Sequence, residues 1–287
     1  MSTLRVASAV TMTLLALSLA GCAADEQGAD GEATASDEQA VYYGDPAAAN
    51  LAVVELYRNG GSWCTGFFIS RRHIVTAAHC TDSYYANQWY RVRVKTGYTT
   101  FANITDSKSG SWLLLSETAH PSWKFNAPTA GADIAILTLP TTTFVPASQA
   151  KHLLATTSPF VGEYLSIWGW GRRRPQDTAP ANDLLSGYMG SQVRVNAVTA
   201  DAPQRFTAVV NNYAATCDGD SGGPATRYAG GNYIAVGVHR GSTTPVCATS
   251  GATMFWANLA DKATWIQNVV GASGIGCTRT NGYMKCF

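Results

Sequence analysis

Charged residues are scarce in this chain of 287 residues, at 14% of the total. The sequence also lacks internal repeats, a glycine-rich phosphate-binding loop and a basic stripe interleaved with aromatic residues. These absences argue against a repeat protein, a nucleotide-binding enzyme and a nucleic-acid-binding protein. No cysteine and histidine spacing is typical of a zinc site. We therefore expect no cofactor, no metal and no nucleic-acid partner.

An apolar stretch over about residues 10–20 follows a single basic residue, Arg5. It is too short for a permanent transmembrane helix, and its flanks are those of an export signal. The motif "LAGC" that closes it resembles the lipobox of bacterial lipoproteins, which implies a signal peptide over residues 1–22 and a lipid on Cys22. The alternative is a plain secretory signal cut nearby, for instance after Ala24. We expect an exported protein, lipid-anchored at the cell envelope, secreted after cleavage, or both. Its only membrane contact would be that lipid.

The next segment, residues 23–40, has six acidic residues and no basic, aromatic or large aliphatic residue. It cannot bury enough apolar surface to offset chain entropy, so we expect a disordered tether or pro-segment. The composition changes abruptly at Val41, where aromatic and β-branched residues begin. From there, nineteen basic residues stand against thirteen acidic ones, a net charge of about +6. This charge either attracts anionic partners or is scattered over a solvated surface.

Short alternating or β-branched runs recur after residue 41, among them "LAVVELY", "HIVTAAH", "IAILTL" and "YIAVGVH". Clusters of Gly, Asn, Asp and Pro separate these runs, which is typical of an antiparallel all-β protein. One helix is predicted near the C-terminal end, in "ANLADKATWIQNVVG", with Gly271 as a stop. About 245 residues are enough for two subdomains. We expect His73 to be an exposed strand residue.

Seven cysteines are present. If Cys22 carries a lipid, six remain, an even number for disulfides in an oxidising compartment. The number of cysteines alone does not determine which of them pair in disulfides.

Three stretches each offer one residue of a nucleophilic relay: "VTAAHC" with His79, "GADIAILTL" with Asp133 and "CDGDSGGP" with Ser221. A serine hydroxyl is a poor nucleophile at neutral pH. It needs an imidazole to take its proton and a buried carboxylate to orient that imidazole. Gly219 has no side chain, so its N–H can lie beside that of Ser221 and both can point at a developing oxyanion.

The spacing and flanks of these stretches resemble the trypsin/chymotrypsin family of serine endopeptidases. The runs "WCTGFFIS", "HPSW" and "WGWG" also occur where that family has similar ones, so the resemblance covers about residues 41–271. It implies an all-β fold of two six-stranded antiparallel β-barrels, at about residues 41–150 and 151–271, with a C-terminal helix. It further implies hydrolysis of peptide bonds through an acyl-enzyme, with His79 as base and Ser221 as nucleophile. We expect a monomer that acts on proteins or peptides, with a protein inhibitor as a candidate partner.

The resemblance also implies two disulfides, Cys64–Cys80 and Cys217–Cys247. Residues 272–287 lie outside it. We expect Cys277 and Cys286 to close a small hairpin in this C-terminal extension.

Mature chains of this family begin with an ammonium group that pairs with the aspartate before the nucleophile. Residues 41–44, "VYYG", resemble such a start at the first and fourth positions and depart from it at the third. The resemblance implies a zymogen cut between Ala40 and Val41, after which the Val41 ammonium reaches Asp220 and orders the oxyanion loop. The same cut would separate the enzyme from a lipid on Cys22.

The position six residues before Ser221, where trypsins carry an aspartate, is Ala215. Cleavage after Arg or Lys is therefore not expected. Two specificities remain open: a small or apolar P1 residue, or an acidic one.

The run "VGVHRGS" resembles the pocket wall of bacterial glutamyl endopeptidases. This implies that His239, Thr216 and Ser242 donate hydrogen bonds to a carboxylate, unless His239 is a packed strand residue. Asp218, near the pocket mouth, argues against an acidic P1. Arg240 stands where the family usually has a serine, and it could neutralise Asp218 or touch the relay aspartate.

Two other functions remain open. One is a protease-fold surface protein that binds without cleaving. The other is a different acyl hydrolase, although the GxSxG nucleophile elbow is absent.

Overall fold

The computed structural model describes ten ranges of the chain: 45–46, 52–58, 61–81, 90–95, 101–103, 116–124, 130–139, 151–172, 189–210 and 214–287. The predicted signal peptide, the tether, Cys22 and Val41 lie outside these residues, so the statements made about them stay predictions. Within the described ranges, no helix is both long and apolar enough to cross a membrane.

Most of the described chain is β-strand. In chain order the strands are β1 (Asp45–Pro46), β2 (Val53–Arg58), β3 (Gly61–Phe68), β4 (His73–Thr76), β5 (Tyr90–Lys95), β6 (Phe101–Asn103), β7 (Ser116–Ala119), β8 (Ala135–Thr138), β9 (Leu153–Ala155), β10 (Tyr164–Gly169), β11 (Met189–Val198), β12 (Arg205–Val209), β13 (Pro224–Ala229), β14 (Asn232–Ser242), β15 (Thr253–Asn258), β16 (Cys277–Thr280) and β17 (Tyr283–Cys286).

The N-terminal sheet is an antiparallel row of seven strands in the order β6-β5-β2-β3-β4-β8-β7. Its central strands carry β-branched and aromatic residues that pack into a dry core. The buried side chains of this core include Leu56, Phe67, Phe68, Ile74, Ile136 and Leu137. Burying each of them contributes about 1.5–3 kcal/mol.

The C-terminal sheet contains a closed antiparallel ring of six strands, β10-β11-β12-β15-β14-β13, which returns to β10. In its core, the rings of Phe206 and Trp256 stack at 5.4 Å. Gly237 permits this packing, because a Cβ there would lie 2.4 Å from the Phe206 ring. The prediction of an all-β fold is confirmed, and one of the two predicted six-stranded barrels is this closed ring. The other predicted barrel corresponds to the N-terminal row, which has seven strands among the described residues.

The predicted C-terminal helix is present as α2 (Ala263–Ala272), preceded by a 3-10 turn over Ala260–Lys262. Its buried face includes Ile266 and Val270, at helical spacing. The helix ends one residue beyond the predicted stop, Gly271.

The C-terminal extension forms the predicted hairpin, β16 and β17, and the Cys277–Cys286 disulfide links its two strands. The hairpin does more than close on itself, because β17 pairs with β9 and so extends the C-terminal sheet. Met284 is fully buried in the same core as Ile266 of α2. The extension is therefore continuous with the core that contains α2.

His73 is fully buried, and the expectation that it would be exposed is wrong. All four residues of β4 are buried, so this strand does not alternate between core and solvent. The His73 ring lies between two hydroxyls, with Ser70 Oγ 2.7 Å from Nδ1 and Ser273 Oγ 2.9 Å from Nε2. Burial, followed by the charge of Arg72, lowers the pKa of His73 to about 4. The neutral ring thus links β4 to the end of α2.

Candidate active site

The pairing of two adjacent strands brings His79 and Asp133 together. Thr76, at the end of β4, pairs with Ala135, at the start of antiparallel β8. His79 lies three residues after Thr76, on the short helix α1 (Ala78–Thr81), and Asp133 lies two residues before Ala135. The two side chains therefore leave the same end of the N-terminal sheet.

The Asp133 carboxylate is fully buried and holds His79 at two points. Oδ2 lies 2.7 Å from Nδ1 of the His79 ring, and Oδ1 accepts the His79 backbone N–H at 2.9 Å. Two contacts to one carboxylate fix both the position and the tilt of the imidazole. With Nδ1 turned to Asp133, Nε2 is the nitrogen left for a proton transfer.

The loop that carries Ser221 is held by the backbone of both sheets. The carbonyl of Ser221 accepts the N–H of Thr65, and the N–H of Gly222 donates to the carbonyl of His239, both at 2.8 Å. Gly222 has φ +87°, and a Cβ there would lie 2.1 Å from the Thr65 carbonyl oxygen. Only glycine fits this close approach of the two backbones.

Two N–H groups of this loop are not used in hydrogen bonds to the described residues. The N–H groups of Asp220, Gly222 and Gly223 all donate to backbone carbonyls. Those of Gly219 and Ser221 have no acceptor among the described residues. Gly219 adopts φ +94°, a conformation that L-residues rarely take.

Asp220 is buried behind the loop in a cradle of glycines. Its Oδ1 accepts the N–H of Gly171 and its Oδ2 accepts the N–H of Cys217, each at 2.8 Å. A Cβ on Gly169 would lie 2.0 Å from Oδ1, and one on Gly171 would lie 2.6 Å from the carboxyl carbon. Burial, reinforced by the charge of Asp218, raises the pKa of Asp220 to about 7, although the two hydrogen bonds oppose this shift. The run "WGWG" thus makes room for a carboxyl group, a role that sequence reasoning missed.

Ser221 and His79 line one cavity of about 490 Å³. The Ser221 hydroxyl donates to the backbone carbonyl of Arg240 at 3.3 Å. Other predicted site residues that line the cavity are Thr216, Asp218, Gly219, His239 and Ser242. Ala215 does not line it, because this residue is fully buried in the core of the C-terminal sheet.

Three buried polar atoms of residues that line the cavity have no hydrogen-bond partner among the described residues: Nε of Arg172, Oγ1 of Thr216 and Nδ1 of His239. Thr216 and His239 are each more than nine-tenths buried. Burial, followed by the nearby His79, lowers the pKa of His239 to about 3, against a hydrogen bond with the Phe255 backbone that raises it. The ring is therefore neutral at pH 7. Ser242 differs, because its hydroxyl donates to the Thr244 carbonyl at 2.6 Å.

The sequence left two possible partners for Arg240, Asp218 and the relay aspartate, and the structure shows a contact with the relay aspartate, Asp133. Nε of Arg240 lies 3.5 Å from Oδ2 of Asp133, the same oxygen that contacts the His79 ring.

The sulfurs of Cys64 and Cys80 lie close to the His79 ring, a grouping that could suggest a metal site. These two cysteines form a disulfide, so they offer no thiolate ligand. The Cys217–Cys247 disulfide, which the resemblance also implied, is present and lines the cavity.

The protein has an all-β fold, a buried aspartate in contact with a histidine, and a serine on a glycine-rich loop. This combination is typical of one class of serine hydrolases. Residues 41–266 match the family model for trypsin. Chymotrypsin-like elastase family member 1 from Bos taurus is 28% identical over 240 residues, which cover 76% of this chain and 83% of the relative. Trypsin beta from Drosophila erecta is 28% identical over 223 residues, covering 75% of this chain and 81% of that protein.

Among solved structures, neuropsin, a serine protease expressed in the limbic system of mouse brain, superposes with a TM-score of 0.61 at 20% identity. The match covers 80% of this chain and 98% of neuropsin, and it supports the fold. The chain belongs to the trypsin family and is a serine endopeptidase.

Replacing Gly171 by alanine should disrupt the cradle of Asp220 and, through it, the serine loop. We expect a loss in kcat/KM of at least about 10²-fold, the size of losing one oxyanion donor. Gly276→Ala is the matched control, because a Cβ there meets nothing within 4 Å. Cleavage of a denatured protein substrate measures both variants. Equal activity of the two would contradict the proposed coupling between the cradle and the loop.

Proposed function

We propose that this protein cleaves peptide bonds through His79, Asp133 and Ser221, with an acyl-enzyme on Ser221. The observation that carries the proposal is the His79 ring held at 2.7 Å by a buried carboxylate, in the cavity that Ser221 also lines. For the reaction, the Ser221 hydroxyl must exchange the Arg240 carbonyl, its acceptor at 3.3 Å, for Nε2 of His79. Such contacts often tighten only when substrate is bound.

The reaction has two halves. In the first, His79 takes the proton of Ser221, the serine oxygen attacks the scissile carbonyl, and the leaving amine receives the proton from His79. In the second, a water molecule gives a proton to His79 and attacks the ester. The bond to the serine oxygen breaks, the acid product leaves, and His79 returns the proton to Ser221. Asp133 stabilises the imidazolium in both halves without becoming protonated itself.

The developing oxyanion would lie against the N–H groups of Gly219 and Ser221. Their lack of an acceptor among the described residues supports this assignment. Each such donor contributes about 3–4 kcal/mol to the stability of the transition state.

Replacing Ser221 by alanine should abolish cleavage of denatured protein and of a mixed peptide library. We expect a fall of at least about 10⁴-fold, because the residual activity of triad-deficient enzymes comes from binding and the oxyanion hole alone. Ser250→Ala, a change at an exposed serine, serves as the matched control. If Ser221→Ala still cleaved the library, the assignment of the nucleophile would be wrong. A wild-type protein that cleaved nothing would favour the protease-fold binding protein instead.

The P1 side chain is proposed to accept hydrogen bonds, and glutamate is the first candidate. An apolar P1 residue would leave both Thr216 Oγ1 and His239 Nδ1 buried without a partner, at a cost of about 1–3 kcal/mol each. A carboxylate could accept from the Thr216 hydroxyl and, once the ring is protonated, from Nδ1 of His239. Its negative charge would also favour protonation of that ring.

His239→Leu should separate the two specificities. We expect the wild type to cleave after Glu at least about 10-fold faster than after Leu or Ala, and the variant to lose about 10²-fold for Glu only. The P1-Ala substrate is the internal control, because it reaches neither polar atom. A wild-type preference for Leu or Ala that the variant keeps would exclude the hydrogen-bonding pocket.

Asp220 is also proposed to be the partner of a new N-terminus. A buried carboxyl group whose pKa is raised to about 7 would be stabilised in its charged form by an ammonium group. Cleavage between Ala40 and Val41 would supply that ammonium and release the enzyme from a lipid on Cys22. Active enzyme should therefore begin at Val41 by N-terminal sequencing, and active enzyme that began at Cys22 would contradict this route.

A further inference from the structure

Arg240 owes its position to an irregularity in β14. Val238 and His239 pair with Ala257 and Trp256, but the next pair joins Gly241 to Phe255. Arg240 is thus the extra residue of a β-bulge. A bulge interrupts the alternation of side chains along a strand and re-aims the residue that it carries.

The bulge gives Arg240 contacts with two members of the site at once. Its carbonyl accepts the Ser221 hydroxyl at 3.3 Å, and its guanidinium reaches Asp133, with Nε 3.5 Å from Oδ2. The side chain of Asp133 is fully buried, while that of Arg240 is about one-third exposed. At 3.5 Å the contact is an ion pair rather than a short hydrogen bond.

Arg240 and His79 contact the same oxygen of Asp133, which gives the charge of Arg240 a route to the imidazole. A cation there stabilises the Asp133 carboxylate and opposes a second positive charge on the imidazole. The neutral imidazole is the form that takes the serine proton. Since the pair is partly shielded from water, this influence is stronger than that of a surface charge.

We propose that Arg240 is a positioning residue, whose guanidinium holds the Asp133 carboxylate and, through the oxygen that it shares with His79, opposes a positive charge on the imidazole ring. This inference rests on the proposed triad and adds a fourth side chain to it. Arg240 does not itself contact the reacting atoms through its side chain.

Other charges in the cavity do not account for the same effect. His239, the neighbour of Arg240, has a pKa lowered to about 3 and stays neutral over the working range. Among the residues that the structure describes, the remaining charged side chains that line the cavity are Arg172 and Asp218. Both are unchanged in a variant of Arg240, so a comparison with the wild type isolates the guanidinium.

The test is the pH dependence of kcat/KM for the wild type, Arg240→Gln and Arg240→Lys, on a neutral peptide substrate. In Arg240→Gln we expect the acid limb of the profile to move to higher pH by about 0.5–1 unit. Activity below that limb should then fall by about 3–10-fold. Arg240→Lys, which keeps the charge, should restore most of the wild-type limb. Arg205→Gln is the matched control, because this exposed arginine contacts the Phe255 ring and does not line the cavity.

Two results would overturn the inference. One is an unchanged acid limb in Arg240→Gln with full or uniformly reduced activity, which would assign Arg240 a purely structural role. The other is an unchanged limb with a raised KM for acidic substrates alone, which would make Arg240 a substrate-binding residue. A wild type without any activity that Ser221→Ala removes would overturn the proposed triad, and this inference with it.

Discussion

The burial of the Asp133 carboxylate is the constraint on which the site depends. A buried charge is costly unless partners surround it, and removing one partner typically costs several kcal/mol. Here two contacts come from His79 and a third from Arg240, which arrives from the other sheet. The hydrogen bonds and ion pair that stabilise the buried charge are therefore the same contacts that orient the imidazole.

A second buried carboxyl group, Asp220, organises the nucleophile side of the cavity. It has no room unless Gly169 and Gly171 lack side chains, and its oxygens accept N–H groups from both the "WGWG" run and the serine loop. The raised pKa of Asp220 indicates that the described surroundings do not fully stabilise its charge. The Asp220 carboxyl group thus holds the loop that contains the Gly219 and Ser221 N–H groups. A change in its surroundings could change whether this carboxyl group is ionised. This is the physical basis for expecting a switch at that point.

The sequence predicted the all-β fold class because local patterns carry it. The three relay positions come from local motifs of the same kind, and their role in catalysis stays a prediction. Alternating runs predict strands, and a serine among three glycines predicts a tight, shaped loop. The predictions that were wrong depended on strand register and on packing. His73 was expected at the surface because alternation usually exposes half of a strand, but β4 is buried on both faces.

Other features could not be read from the sequence because they arise between distant segments. Counting back from Ser221 predicted that Ala215 lies in the pocket. In the structure, Ala215 is fully buried in the core of the C-terminal sheet. The reach of Arg240 follows from a bulge, which is a property of strand pairing rather than of composition. The hairpin of the C-terminal extension was expected from two cysteines, but its pairing with β9 needed the whole sheet.

The most direct measurement of the central claim is covalent labelling with a fluorophosphonate, followed by peptide mapping. The account predicts a single label, carried by Ser221, and loss of activity in proportion to labelling. It also predicts that His79→Ala and Asp133→Ala label far more slowly than the wild type. Labelling of another residue, or a labelling rate that did not depend on His79, would contradict the account.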